Sequence, residues 1–460
     1  MIFSSIGYVA FLALVLIFLA TISNLRLQKI GLLIASYYFY SRWDWRFVAL
    51  LLSLTLTTFY CVKMLRRGLN RKFWLTVCVA SSLGTLGYFK YTNFFLSTVN
   101  GAAGLHLSLL DVVLPVGISF IVFEVISYAV DVYRGDQKFE ESLIDFAILV
   151  AFFPHLVSGP ILKPNHFLPQ LKRPTAITLS NLSAGLQLFL WGLMKKILVA
   201  DRLAPFVDTV FKHPGSFSPL TTWLGVIAYA IQIYGDFSGY TDMAIGSAKM
   251  MGFEIPQNFD LPYLSRNISD FWRRWHISLS TWLRNYLYIP LGGNRKGKAR
   301  MYINLAVVML LGGLWHGASW NFCLWGGLHG FGLATHKMLV DRKFWPKIPE
   351  RIAYFLSWGF TLIFVVTAWV PFRSSEWSAT TTILAKMYGL APGARVHWIS
   401  TSLVYAVPCL VLADYASRMW FKHKRLHLTR FTHQLAFFLA AIGILVLAPP
   451  TSSPFIYFQF

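Results

Sequence analysis

Charge is scarce in this chain. Only 13% of its 460 residues are Asp, Glu, Lys or Arg, against about a quarter in a soluble globular protein. Acidic residues are the scarcer kind, 19 against 41 Lys and Arg, which leaves a formal net charge of +22. Cysteine is rarer still. Cys61, Cys78, Cys323 and Cys409 stand far apart with no CxxC, so a disulfide framework is excluded and the four read as small apolar fillers. Several motifs are missing as well. There is no HExxH, no GxSxG elbow and no GxxxxGK[ST] loop, which leaves no signature of a zinc site, of a serine-hydrolase elbow or of a Walker nucleotide loop. No metal is expected. No stretch is long and polar enough to form a soluble domain; Lys163–Leu179 and Asn258–Asp270 are loop-sized.

What fills the chain instead is apolar. Hydrophobic residues make up 56% and the mean hydropathy is +0.54. Runs begin with Ile6–Ile22, Ile30–Tyr40, Phe47–Cys61 and Phe73–Phe89 and continue to Gln434–Leu447. At 17–25 residues per helix they predict an all-α polytopic membrane protein of about eleven to thirteen spans. The first run has no basic residues before it and no small-residue cleavage site, so it is expected to stay as a span. The cations gather between runs, as in Lys63–Lys72, Arg295–Arg300, Lys337–Arg351 and Arg418–Arg430. That is the pattern of loops facing anionic lipid headgroups, and it argues against nucleic acid as a partner.

Some runs are broken. Leu114-Pro115-Val116-Gly117 precedes Glu124 and Asp131, and Phe153-Pro154-His155 is followed by Ser158-Gly159-Pro160. Irregular backbone at membrane depth persists only where protein or water covers it, so these breaks predict re-entrant or kinked helices. No pair of corresponding broken helices occurs in two halves, which weakens a transporter reading.

The richest stretch is Phe271–Gly330, FWRRWHISLSTWLRNYLYIPLGGNRKGKARMYINLAVVMLLGGLWHGASWNFCLWGGLHG. Two of its histidines directly follow a tryptophan: His276 after Trp275, His316 after Trp315. Over Ile268–Ile289, Trp272, Trp275, Leu279, Trp282, Tyr286 and Ile289 fall three or four apart, with Arg273, Arg274 and Arg284 elsewhere. The spacing predicts one amphipathic helix at the membrane surface, with His276 at the edge of its aromatic stripe. His316 lies inside an apolar run among Gly312, Gly313 and Gly317, which permit close approach. Ionisable groups in such runs are functional candidates, and a neutral imidazole is the form a general base needs; a structural histidine bonded to a neighbouring helix is the alternative. Between the two lies Gly292–Arg300, whose glycines and four cations, Arg295, Lys296, Lys298 and Arg300, suit either a cytoplasmic positive loop or phosphate groups. Earlier, Tyr234-Gly235-Asp236-Phe237-Ser238-Gly239-Tyr240-Thr241-Asp242 places Asp236 and Asp242 at the end of an apolar run. They need partners there, and Arg273, Arg274 or Arg284 are the expected ones.

In these residues the chain resembles the membrane-bound O-acyltransferase (MBOAT) family, in the branch that acetylates exported polysaccharides. The matching stretches are LPVGISFIVFEVISYAVDVYRG (Leu114–Gly135), FPHLVSGPI (Phe153–Ile161), YGDFSGYTDMAIG (Tyr234–Gly246), FWRRWHISLSTWLRNYLYIPLGGN (Phe271–Asn294) and GLWHGASW (Gly313–Trp320). The resemblance implies a funnel-shaped helical fold across residues 1–460 as a single integral membrane domain, with a catalytic core at about 110–340. It implies that His316 matches the family's near-invariant histidine and His276 its second polar position. It implies acetyl-CoA as cytoplasmic acyl donor, with no permanently bound cofactor, and an extracytoplasmic acetyl-accepting partner protein in a polysaccharide-modifying complex of the bacterial inner membrane.

The aromatic tail 454–460, PFIYFQF, is similar to an ending found in this branch. Tyr457 carries its only hydroxyl, and a phenol of pKa about 10 needs a base to act at neutral pH. The expectation is a transient acyl-Tyr457 with His316 as base, or a tail that merely docks. Two rival functions remain on the sequence alone: a proton-coupled transporter or flippase using the histidines as a relay, and a non-catalytic scaffold.

Overall fold

The computed structural model describes residues 1–68, 70–157, 159–175, 177–341, 349–392, 394, 396–423, 431–448 and 453–456. Among them the regular structure is helical, and the only β pairing is an isolated bridge between Phe217 and Val396. Apolar runs become helices, among them Ile6–Thr21, Leu25–Ser41, Lys298–His316 and Trp320–Asp341, the second and third extending beyond their runs into polar residues. Among the described residues three helices are each long and apolar enough to cross a bilayer by length and composition: Arg46–Arg66, Leu179–Lys212 (continuous through its π turn) and Glu350–Arg373.

The chain forms two compact units, Met1–Phe189 with Thr241–Pro256, and Leu190–Tyr240 with Gln257–Phe460. In the first unit Tyr8, Phe11, Phe39 and Phe153 pack ring against ring, and the Tyr8 hydroxyl donates to Ser247 Oγ at 2.8 Å. Both helix breaks foreseen here are present. Gly117 has φ +73°, and a Cβ there would stand 2.5 Å from the Leu156 carbonyl, so only glycine lets the two broken segments meet. Seven residues after Gly117, Glu124 Oε2 lies 2.9 Å from His155 Nε2, with both side chains nearly inaccessible. A polar pair this deep holds together because each partner satisfies the other.

The second unit carries the candidate site. Its helix Lys298–His316 is laid against Trp320–Asp341 with glycine at the contact: a Cβ on Gly313 would lie 2.2 Å from the Phe322 carbonyl, and one on Gly326 would lie 2.3 Å from that of Met309. Small residues allow such close backbone approach where lipid offers no hydrophobic force between helices. A separate apolar cluster joins Trp191, Met194 and Leu198 to Ala413, Ala416 and Ile444.

Candidate active site

Ile268–Ile289 is not the single amphipathic helix its spacing predicts. It forms Ile268–Arg274, then Ile277–Leu283, then a π turn Arg284–Tyr288. The break falls at Trp275-His276, where His276 adopts φ +45° and ψ +57°, a left-handed conformation that non-glycine residues seldom take. Asn258 accounts for it. Its carbonyl accepts from Ile277 N at 2.9 Å, and its Oδ1 accepts from Ser278 N and Ser278 Oγ, each at 3.0 Å. Two backbone donors that would otherwise be orphaned at the start of a helix are thereby capped from a distant segment. The stripe itself survives the break: Trp272, Trp275, Leu279 and Trp282 are buried, whereas Ile289 is exposed.

His276 is fully buried, which overturns its placement at an interfacial edge. Its Nδ1 lies 3.3 Å from Asn258 Oδ1. That oxygen is fixed as the acceptor by the Ser278 N–H, which can only donate, so His276 Nδ1–H donates to it. In the neutral ring the lone pair then sits on Nε2. The ring stands edge-on to Phe237, centroids 4.8 Å apart, and 6.1 Å from Trp315.

His316 ends the helix Lys298–His316 and is buried. It packs edge-on against Trp315, Trp325 and Phe372 at 4.8, 5.0 and 5.1 Å between centroids. Trp315 thus lies against both histidines, and the two Trp-His pairs of the sequence come together in one aromatic cluster. A third histidine, not singled out from the sequence, extends it. His329 is fully buried 4.7 Å from Trp325 and accepts from Trp272 Nε1 at 3.3 Å. Its signal was available, a histidine four residues after Trp325 on an apolar helix face.

Trp272 also lines a cavity of about 300 Å³. Leu283, Met301, Leu305 and Met309 make its apolar wall, and Arg284, Asn294 and Lys337 bring polar atoms to it. Of the basic loop, Asn294 reaches this cavity; Arg295, Lys296, Lys298 and Arg300 are exposed. The loop's base is fixed by Asn304 Nδ2, which donates to the carbonyls of Leu291 and Gly293 at 3.3 and 3.2 Å.

The expected partners of Asp236 are corrected. Arg273 and Arg274 both pair with Asp270, one turn away on their own helix, and Arg284 is exposed. Asp236 instead meets Lys196 at 2.9 Å. Gly235 and Gly239 make this possible, because a Cβ on Gly239 would stand 2.6 Å from the Gly192 carbonyl and one on Gly235 3.1 Å from the Val199 side chain. Asp242, further along the same helix, is buried in the first compact unit. Tyr457 lies outside the described residues; the tail is described through Ile456, with Phe455 fully buried against Tyr240 at 4.3 Å and Phe237 at 5.9 Å.

With this geometry in place, comparison with known proteins is decisive. The model of the MBOAT, membrane-bound O-acyltransferase family, matches residues 3–372. The chain belongs to that family. The probable alginate O-acetylase AlgI of Pseudomonas putida is 40% identical across the whole of both chains. The peptidoglycan O-acetyltransferase of Helicobacter pylori is 34% identical over 94% of this chain and 91% of its own. A teichoic acid D-alanyltransferase of Streptococcus thermophilus matches at 31% over 49% of this chain and 58% of its own. The buried aromatic cluster of His276 and His316 is therefore set in a membrane-bound O-acyltransferase.

Proposed function

We propose that this enzyme moves an acetyl group from cytoplasmic acetyl-CoA across the bacterial inner membrane to a hydroxyl acceptor that serves O-acetylation of an exported polysaccharide. The full-length likeness to an alginate O-acetylase supports the polysaccharide, with peptidoglycan as the related acceptor class. One observation carries the chemistry: the Phe237 ring packs against His276 on one side and Phe455 on another. The described tail thus ends one residue before Tyr457 and close to the histidine cluster.

In this reading the thioester arm of the donor occupies the cavity beside Trp272, and Arg295, Lys296, Lys298 and Arg300 meet its phosphates in solvent. His316 takes the phenolic proton of Tyr457, and the oxygen attacks the thioester carbonyl. The C–S bond breaks, acyl-Tyr457 forms, and the proton passes to the departing thiolate. Transfer to a hydroxyl of an extracytoplasmic partner protein regenerates the phenol. His276, whose Nδ1–H is committed to Asn258, offers a lone pair at Nε2. That suits it to orient a hydroxyl rather than to polarise a carbonyl.

Purified protein given radiolabelled acetyl-CoA tests this. Label should appear on the peptide containing Tyr457, and transfer should fall about 10²–10⁴-fold in His316→Ala, the span expected for loss of a general base. Wild-type transfer by Tyr457→Phe would sink the acyl-tyrosine step. Wild-type transfer by His316→Ala would sink the role of the base.

A further inference from the structure

Lys196 stands within an apolar stretch of the sequence, Leu182–Leu198. In the fold it is the centre of a buried charge cluster. Its Nζ lies 2.7 Å from Asp201 Oδ1 and 2.9 Å from Asp236 Oδ1, with all three side chains almost wholly inaccessible. Its third bond is to a backbone atom far along the chain, the carbonyl of Ser453, at 2.8 Å. Three residues later Ile456 N donates to the other oxygen of Asp236, Oδ2, at 2.7 Å. Between these two contacts Phe455 is fully buried on Tyr240, the ring over which Lys196 Nζ also sits at 5.6 Å.

The two halves of one ion pair therefore grip one short segment, the ammonium through a C=O and the carboxylate through an N–H. An ammonium has three protons to donate, and here it faces two carboxylate oxygens and one carbonyl oxygen, none further than 2.9 Å. Two carboxylates on one ammonium leave a net negative charge in a buried place, a costly arrangement unless further donors complete it. Ile456 N–H is such a donor. The cluster is completed by the tail, and the tail is located by the cluster.

We propose that Lys196 and Asp236 form a socket that seats the C-terminal segment through its main chain, and that they are positioning residues for acyl transfer. The positioning role rests on the reading that Tyr457 carries the acyl group; the socket itself does not.

The test uses the full chain in membranes, with its four native cysteines replaced and Phe458→Cys as reporter, labelled with N-ethylmaleimide. Asp236→Leu and Lys196→Met should each speed labelling about tenfold, the change expected when a charge-assisted hydrogen bond is lost. Asp236→Asn, which keeps an acceptor oxygen for Ile456, should stay nearer the parent. Ile456→Pro removes the donor from the tail and leaves the cluster's own side chains untouched. It should speed labelling too, and it answers the case in which a cluster variant fails to fold. Lys195→Met is the control, because it breaks a neighbouring buried pair, Lys195–Asp414 at 2.7 Å, outside the socket. Unchanged labelling in Asp236→Leu and Ile456→Pro overturns the socket, and so does equal acceleration in Lys195→Met. Faster labelling with acetyl transfer lost supports both the socket and its positioning role. Faster labelling with transfer intact supports the socket and overturns its positioning role.

Discussion

Asn258 Oδ1 stands 3.3 Å from His276 Nδ1 while accepting from both the backbone and the hydroxyl of Ser278. One side-chain oxygen thus fixes the tautomer of a buried histidine and the start of the helix that follows it. Asn258→Ala should lower stability by about 1–3 kcal/mol, the cost of leaving buried donors unsatisfied. It should lower acetyl transfer by about 100-fold, as expected when a reacting group is displaced by about an ångström. Asn258→Asp keeps the acceptor and should lose less stability. Thermal unfolding in detergent and transfer from acetyl-CoA check this, and wild-type transfer by Asn258→Ala would remove the orienting role.

The glycine contact behind His316 makes a second prediction. Gly313→Ala places a methyl 2.2 Å from the Phe322 carbonyl, so the two helices must part, at a cost of about 1–3 kcal/mol. His316 is three residues further on, and transfer should fall with stability. Gly327→Ala meets only the tip of Leu310 at 3.8 Å, an ordinary contact. It should be neutral or stabilising by up to about 1 kcal/mol, the helix preference of alanine over glycine. Equal melting temperatures for the two variants would contradict the close packing.

In the first unit, Glu124→Leu or His155→Leu alone strands the other partner without its bond. Each should cost about 1–3 kcal/mol. The double variant removes both polar groups and should be less destabilised than the sum of the two singles, with a coupling of about 0.5–3 kcal/mol. Strict additivity in thermal unfolding would mean that the 2.9 Å pair contributes nothing.

The two Trp-His pairs were legible because an ionisable ring in an apolar run is costly wherever the run folds, and both did converge on Trp315. The break at His276 was not. The periodicity of Trp272, Trp275, Leu279 and Trp282 is compatible with a continuous helix, and what interrupts it is Asn258, a residue in a stretch read only as a loop. Lys196 meets the rule that singles out His316, an ionisable group within an apolar stretch. The partner of Asp236 was beyond reach for another reason. Three arginines lie 37–48 positions away in sequence and Lys196 lies 40 away, so separation could not choose among them. Gly235 and Gly239 choose, by admitting the helix that carries Lys196.

The socket has a timetable as well as a shape. Ser453 follows Lys196 by 257 positions, and synthesis at 5–20 residues per second puts roughly 10–50 s between them. For that interval Lys196, Asp201 and Asp236 must wait in the nascent protein with their last hydrogen bonds unmade. Membrane insertion of this part of the chain therefore has to tolerate an incomplete charge cluster, which closes only when Ser453 and Ile456 arrive.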